Sequence, residues 1–270
     1  MHFELGLPTA SPVPLVVHVP HSSTHVPAAY LADFAIGGSE LATELRLMTD
    51  HFTDELAEAT TALGGTTFVN RVSRLVMDPE RFAEDADEPM AKRGMGAVYA
   101  NRQDGSPLRR TGFSAAERSR VIDALYVPYH ARLEALVGGL LENHGACVLV
   151  DLHSFPRRPL PYEDGSLARP SICIGFDEFH VDEVRRDQWA AQIRERGLDV
   201  SFNAPFSGSL VPARFYRREP RVRALMIEVR RDLYMEETTG EKNADFAAVA
   251  ALVSSLLASP AERASRYSGC

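Results

Sequence analysis

The run CVLVDLHSF, Cys147 to Phe155, ends by placing an acid and an imidazole, Asp151 and His153, beside a stretch of apolar residues. It is short, rich in β-branched residues and preceded by Gly145, which is the pattern of a strand buried on both faces. Open α/β sheets take their ligands at the carboxyl ends of such strands. The layout recurs elsewhere. PLVVHVPHSS, Pro14 to Ser23, reads as a strand entering a polar turn at His21, flanked by His18 and His25, and LMIEVRR, Leu225 to Arg231, carries Glu228. Neutral imidazoles with a carboxylate are the donors that a borderline ion such as Zn2+ prefers, and a catalytic zinc site uses three protein ligands while leaving one position open. The third ligand is sought in MTDHFTDEL, Met48 to Leu56, which offers Asp50, His51, Asp54 and Glu55. Asp50 and Asp54 stand four apart on an expected helix and so share a face; spacing alone does not choose between them. Glu228, set among Met226, Ile227 and Val229, is expected to have its pKa raised toward neutrality, which suits proton transfer. Each group also has a purely structural alternative: Asp151 as a turn cap, the acids of 50–55 as a solvated helix face, and Glu228 as an ion-pair partner of Arg230 or Arg231.

These side chains need a scaffold, and the sequence alternates in a way that supplies one. After the strand from Pro14, residues Ser39 to Leu63 carry a helical pattern opened by a serine cap and closed by Gly64-Gly65. TTFVN and SRLVMD read as two further strands. Pro79 to Arg110 is polar, rich in Gly and Pro and without period, as expected of a long functional loop or flap. Ser114 to Asn143 is strongly helical, with Pro128 expected to break or kink it. Beyond the run at Cys147 come a strand at Ser171 to Phe176, a helix from about Val181 to Arg196, the strand at Leu225 to Arg231 and an amphipathic helix from about Asn243 to Leu257. Strands alternating with helices imply an α/β fold with a mixed, mostly parallel sheet covered on both faces. No repeat or linker divides the chain, so residues 1–270 are expected to form a single domain.

Composition narrows the partners. The chain has 270 residues, 45% of them hydrophobic, and a formal net charge of −8. That charge argues against general affinity for nucleic acid or an anionic membrane, because phosphate binding needs concentrated Lys and Arg. A small solute is the expected partner. No stretch approaches the roughly 20 apolar residues of a membrane span, and the start lacks a basic, apolar leader. Cys147, Cys173 and Cys270 show no paired spacing, which suits a reducing cytoplasm.

Seven blocks, VPHSSTHVP, MTDHFTDEL, SRLVMDPER, DLHSFPRRPLPY, RPSICIG, NAPFSGSLVP and LMIEVRRDLYM, run in order from about Pro20 to Met235. Together they resemble the N-formylglutamate amidohydrolase family, which is similar in fold and site to the zinc carboxypeptidases and aspartoacylase. The resemblance implies a three-layer α/β/α sandwich, one Zn2+, and hydrolysis of a small N-acyl amino acid. It implies that His21 and His153 are the histidine ligands. Thr24 stands where the carboxypeptidase H-x-x-E motif has its glutamate, so the carboxylate must come from elsewhere, with Asp50 the first choice and Asp54 the second. Asp151 then supports His153 from behind, Glu228 transfers protons, Arg74 polarises the carbonyl, and Arg81 grips a substrate carboxylate. Asn203 and Arg169 are further substrate-side candidates. The segment departs from the D-L-N-R pattern of aspartoacylase, having Pro79-Glu80 in place of Leu-Asn; a pocket-facing Glu80 implies a substrate less acidic than N-formylglutamate. Two other readings remain open: a zinc peptidase or deacylase with a different substrate, and a non-catalytic metal-binding sensor.

Overall fold

The computed structural model describes residues 2–266, so Cys270 lies outside the described residues. Strands β1 (Phe3–Gly6), β2 (Leu15–Val19), β3 (Thr66–Asn70), β4 (Cys147–Phe155), β5 (Ile172–Gly175), β6 (Val200–Phe202) and β7 (Val222–Arg230) form one sheet in the order β1-β3-β2-β4-β7-β5-β6. A small separate hairpin, β8 (Met235–Glu236) with β9 (Glu241–Lys242), follows. The four central strands β3, β2, β4 and β7 are mutually parallel, whereas β1 runs antiparallel to β3 and β5 antiparallel to β7. The chain therefore has an α/β fold with a mixed, mostly parallel sheet.

Helices α1 (Ala28–Leu31), α2 (Gly38–Met48), α3 (Thr53–Leu56), α4 (Ala115–Val121), α5 (Val127–His144), α6 (Glu183–Glu195) and α7 (Phe246–Arg266) complete the chain. The two-residue period of the strands sorts their side chains onto two faces. Val148, Val150 and Leu152 of β4 pack with Trp189 and Ile193 of α6 and with Leu252, Val253 and Leu256 of α7. Cys147 and Leu149 face the other way, onto Tyr129, Leu133 and Val137 of α5. Asp151 and His153 continue that second face. His18 follows Val16 on it, and Glu228 follows Ala224 and Met226. Polar groups from three parallel strands thus emerge on one side of the sheet at its carboxyl end, where β2 leads to β3 on one flank and lies against β4 on the other. Ligands bind at such a crevice in open sheets.

The structure differs from the sequence expectations in five places. The expected helix from Ser39 to Leu63 is interrupted: α2 ends at Met48, Thr49 is extended, and Phe52 adopts φ 64° before α3 begins. The start of α2 is capped by Gly37 rather than by a serine side chain. The run SRLVMD forms a turn, not a strand, with Val76 N–H donating to the Ser73 carbonyl at 2.9 Å. Its Leu75, Val76 and Met77 are apolar because they are buried in a core outside the sheet, together with Met95, Tyr99 and Leu108. That core also fixes the segment 79–110, which lacks long regular elements as expected but packs as a wall rather than a free flap. At Pro128 the helix does not break; Ile122–Tyr126 form a π-helical turn that carries α4 into α5, a common accommodation of a missing N–H.

Candidate active site

His21 lies just past β2 and His153 near the end of β4, and both are almost wholly buried. Their Nδ1 atoms face each other at 3.3 Å. Asp50 Oδ2 completes the group, 3.1 Å from His153 Nδ1 and 3.6 Å from His21 Nδ1. The interruption after α2 delivers it there, because Asp50 N–H donates to the His21 carbonyl at 2.9 Å and so ties the break to the turn after β2. Asp54 is directed elsewhere and accepts from Arg71 Nη1 at 2.7 Å. His25 is exposed, and His51 bonds the Arg46 carbonyl.

The outer nitrogens explain why the Nδ1 atoms are presented inward. His21 Nε2 donates to Asp78 Oδ1 at 2.8 Å, which leaves its Nδ1 directed at His153 and Asp50. His153 Nε2 lies 3.1 Å from Glu80 Oε2 and 3.2 Å from Asp151 Oδ1. It makes an aligned hydrogen bond to neither, yet two carboxylate oxygens favour a proton on that nitrogen. Carboxylates behind metal-binding histidines fix tautomer and ring orientation in this way. Burial alone would lower the His153 pKa, but the charges of Glu80 and Asp151 hold it well above the ordinary imidazole value. Burial would likewise raise Asp50, yet the hydrogen bonds from His153 and His21 and the Arg231 guanidinium hold its carboxyl well below the usual range. Two imidazole nitrogens and a carboxylate oxygen converging in a buried space need a positive charge among them; a proton on His153 Nδ1 supplies one, and a divalent ion would do so in its place. Ligands on a tetrahedral ion with bonds of 2.0–2.1 Å are about 3.3 Å apart. The separations of 3.3, 3.1 and 3.6 Å fit a divalent ion of that size.

Glu80 also comes within reach of His21 and His153 as an alternative third donor, and a separate cluster, His18, Glu80 and Asp151, draws donors together. Its His18 Nδ1 and Asp151 Oδ1 are 2.7 Å apart, closer than two ligands of one such ion stand. It is a hydrogen-bond chain in which Tyr129 bonds the other nitrogen of His18 and Leu210 N–H donates to Asp151 Oδ2 at 3.0 Å. It stiffens the base of β4 beneath His153.

A cavity of about 410 Å3 opens over His21, Asp50 and His153. Glu228, opposite His153 in the β4–β7 register, lines it. Its Oε2 is buried and without a hydrogen-bond partner, and burial pushes its carboxyl up to about 8. The ion pair with Arg230 or Arg231 does not form. Arg230 donates to Asp232, and Arg231 donates through Nη2 to Asp50 Oδ1 at 2.9 Å and through Nη1 to the Leu47 carbonyl at 2.7 Å. Arg74 and Arg81 both border the cavity. Arg74 donates to Asp78 Oδ2 through Nη2 at 2.8 Å, and Tyr99 O–H donates to the same oxygen at 2.7 Å.

Two expected substrate-side residues have other tasks. Asn203 does not line the cavity; its Oδ1 accepts from Phe176 N–H at 2.8 Å and Gly208 N–H at 3.3 Å, which organises the loop after β6. Arg169 sits behind the wall, bonded to Glu163 and the Pro156 carbonyl and stacked 4.9 Å from the Phe155 ring. Sequence reasoning had missed the anchoring role of Asp78 and the Arg231–Asp50 pair. The juxtaposition of Arg74, Asp78 and Arg81 within eight residues was the available signal for Asp78; nothing local signals a contact between positions 50 and 231.

Comparison with known proteins supplies the family. Among solved structures, N-formylglutamate amidohydrolase from Ralstonia eutropha JMP134 superposes with a TM-score of 0.86 and 29% identity, over 98% of each chain. The N-formylglutamate deformylase of Pseudomonas putida is 28% identical over 84% of this chain and 83% of its own, and that of Pseudomonas aeruginosa 27% over 83% of both. The model of the N-formylglutamate amidohydrolase family matches residues 13–235, and the chain belongs to that family.

Proposed function

We propose that the chain hydrolyses the amide bond of a small N-acyl amino acid, an N-formyl amino acid such as N-formyl-L-glutamate foremost, with one divalent ion, Zn2+ by the character of its donors, as cofactor. The reading is carried by one observation: two inward Nδ1 atoms and a carboxylate oxygen at metal-ligand separations, beside a buried glutamate with no partner. His21, Asp50 and His153 would hold the ion, with Asp78 behind His21 and Asp151 and Glu80 behind His153. When bound, the ion supplies a Lewis acid that makes water a nucleophile near neutral pH and polarises the amide carbonyl. In the reaction, water adds to the carbonyl carbon, the C–N bond breaks, and the carboxylic acid and free amine depart. Glu228 accepts the proton that water loses and passes it to the leaving nitrogen; its apolar surroundings keep the proton's two positions close in energy. Arg74, fixed by Asp78, faces the oxyanion that develops on the carbonyl oxygen. Arg81 pairs with the substrate carboxylate through its planar fork.

The test is release of free amine from a panel of N-formyl and N-acetyl amino acids by zinc-loaded protein, alongside Glu228→Gln. The variant should retain the metal and lose turnover by about a hundredfold or more, the scale of general acid-base effects. Metal-loaded protein that cleaves none of these amides would overturn the reading. Near-normal turnover by the variant would remove Glu228 from it.

A further inference from the structure

The segment between β4 and β5 forms one wall of the cavity and gives Pro156, Leu160, Tyr162 and Glu163 to its lining. Its neck is tied by Arg169, which donates through Nε to the Pro156 carbonyl at 3.1 Å and pairs with Glu163. That pair is nearly dry, its side chains 10% and 7% exposed. Through its other oxygen Glu163 accepts from Leu160 N–H at 3.2 Å, and its own N–H donates to the Leu160 carbonyl at 2.8 Å. Tyr162 lies within this self-bonded turn, and its ring packs, with Leu160 and Met90, against the core that holds Leu75 and Tyr99. The segment thus keeps the Tyr162 side chain in a fixed place on the cavity wall. Arg74 lines the same cavity. It gives Nε and Nη2 to Asp78, and Nε also to the Tyr99 oxygen, which leaves Nη1 for a ligand. Glu80 is turned aside, its oxygens 3.1 Å from His153 Nε2 and 3.8 Å from His18 Nδ1. Among the described residues no hydrogen bond engages the Tyr162 hydroxyl. Burial raises its phenol above the ordinary value, against the charges of Arg74, Arg81 and Arg231, so at neutral pH it keeps its proton and is a donor.

Resting on the reading of this cavity as an N-acyl amino acid site, we infer that Tyr162 is a further catalytic residue, which together with Arg74 donates a hydrogen bond to the substrate's carbonyl oxygen as negative charge gathers there. When water adds to the carbonyl carbon, the C=O electron pair moves onto that oxygen, and it returns as the C–N bond breaks. Tyr162 keeps its proton throughout, and proton transfer stays with Glu228. Donors already placed where charge develops cost no reorganisation at the moment of reaction, and they act more strongly where water is excluded. Arg74 supplies the charge and the phenol a second, directional O–H. Because the oxygen becomes anionic only on the way to the transition state, the hydroxyl's contribution falls on turnover and not on substrate binding.

Tyr162→Phe removes the hydroxyl and keeps the packed ring. Loaded with zinc, this variant should hold the metal at wild-type stoichiometry. On the amide that the wild type cleaves best, its kcat should fall by about tenfold or more with KM little changed. The N-phosphoryl derivative of the same amino acid, whose tetrahedral anion stands in for the transition state, should bind the variant more weakly by a similar factor. A rise in KM with kcat unchanged would make Tyr162 a contact to the resting substrate and overturn the inference. Unaltered kinetics, undiminished affinity for the phosphoryl compound or loss of zinc would overturn it as well, and each leaves the amidohydrolase reading intact. Wild-type protein that cleaves no N-formyl or N-acetyl amino acid overturns that reading and this inference with it. Should Tyr162→Phe fail to fold, Tyr162→Leu, which also lacks the hydroxyl, is put through the same measurements with the same outcomes deciding.

Discussion

Asp78 is wholly buried and holds partners on both oxygens: His21 on one, and Arg74 and Tyr99 on the other. Burial by itself would raise its pKa, but the Arg74 charge, with His21 and Arg81, keeps it well below the usual carboxylate range. A carboxyl depressed in the folded state contributes stability that is present above its unfolded pKa and is lost as pH falls through the folded one. Asp78→Asn should therefore weaken metal affinity by about 10- to 100-fold, the scale of losing a carboxylate behind a histidine ligand. It should also destabilise the fold, because Arg74 is left buried without its counter-charge. Competition with a chromogenic chelator reads the first effect and urea unfolding the second; unchanged metal affinity would remove Asp78 from the site. Arg81 yields a separate expectation. Arg81→Lys keeps the charge and loses the bidentate fork, so KM for a carboxylate-bearing substrate should rise by about tenfold with kcat little changed. An unaltered KM would count against Arg81 as the clamp. At this scale the gathering of His21, His153 and Glu228 around one cavity was legible in the sequence, because a strand announces its end by a run of apolar residues and each sits at or near such an end. The tasks of Asn203 and Arg169 were not, since a side chain that organises a turn and one that binds a ligand can look identical in a linear sequence.

At the scale of elements, the site depends on two irregular segments. The chain breaks its helix between Met48 and Phe52, and Phe52 takes up the left-handed region, at a cost of about 1 kcal/mol or more for a non-glycine residue. The amphipathic pattern continues through this break, which is why the sequence suggested one helix and left Asp50 and Asp54 on a common face. The second segment is 72–110, whose fold is held by Arg109. Its guanidinium lies between the rings of Phe34 and Phe113 and donates to the carbonyls of Tyr99, Leu75 and Val76 at 2.9, 2.8 and 3.1 Å. A buried arginine that satisfies main-chain carbonyls joins the turn bearing Arg74 to the far end of the long segment. Arg109→Ala leaves three buried carbonyls without donors and should cost at least about 2 kcal/mol in chemical denaturation. A loss under about 0.5 kcal/mol would show that the segment is not fastened there. Across the sheet, β5 admits the loop from Asn203 only because Gly175 has no side chain: a Cβ there would come within 2.4 Å of the Gly208 carbonyl.

For the whole molecule, the sheet's composition was readable and its order was not. Buried runs such as LVVHV and CVLVDLHSF identify themselves as strands, but nothing within the run at Ile172 states that it lies antiparallel to β7. β1 and β6, short and partly exposed, left no clear signal at all. The assembled α/β fold also adds to the dependence of stability on pH. His130, on α5 and lining a separate cavity, is lowered to about 4, chiefly by burial. Between that value and about 6.5 the unfolded chain binds the extra proton, so stability falls as pH drops through this window. The His130 contribution should be on the order of 2 kcal/mol and absent in His130→Phe, whose unfolding free energy should vary less between pH 6.5 and 4. An equal slope in both proteins would show that His130 titrates freely.

Whether His21, Asp50 and His153 hold a divalent ion is tested most directly by measuring zinc binding. Equilibrium dialysis of the purified protein, with Asp50→Asn and Asp54→Asn beside it, should give one ion per wild-type chain and the same for Asp54→Asn. Asp50→Asn should bind more than about a hundredfold more weakly, beyond the loss expected for an outer partner. A wild-type chain that binds no divalent ion, or an Asp50→Asn chain that binds it as tightly as the wild type, would contradict the account.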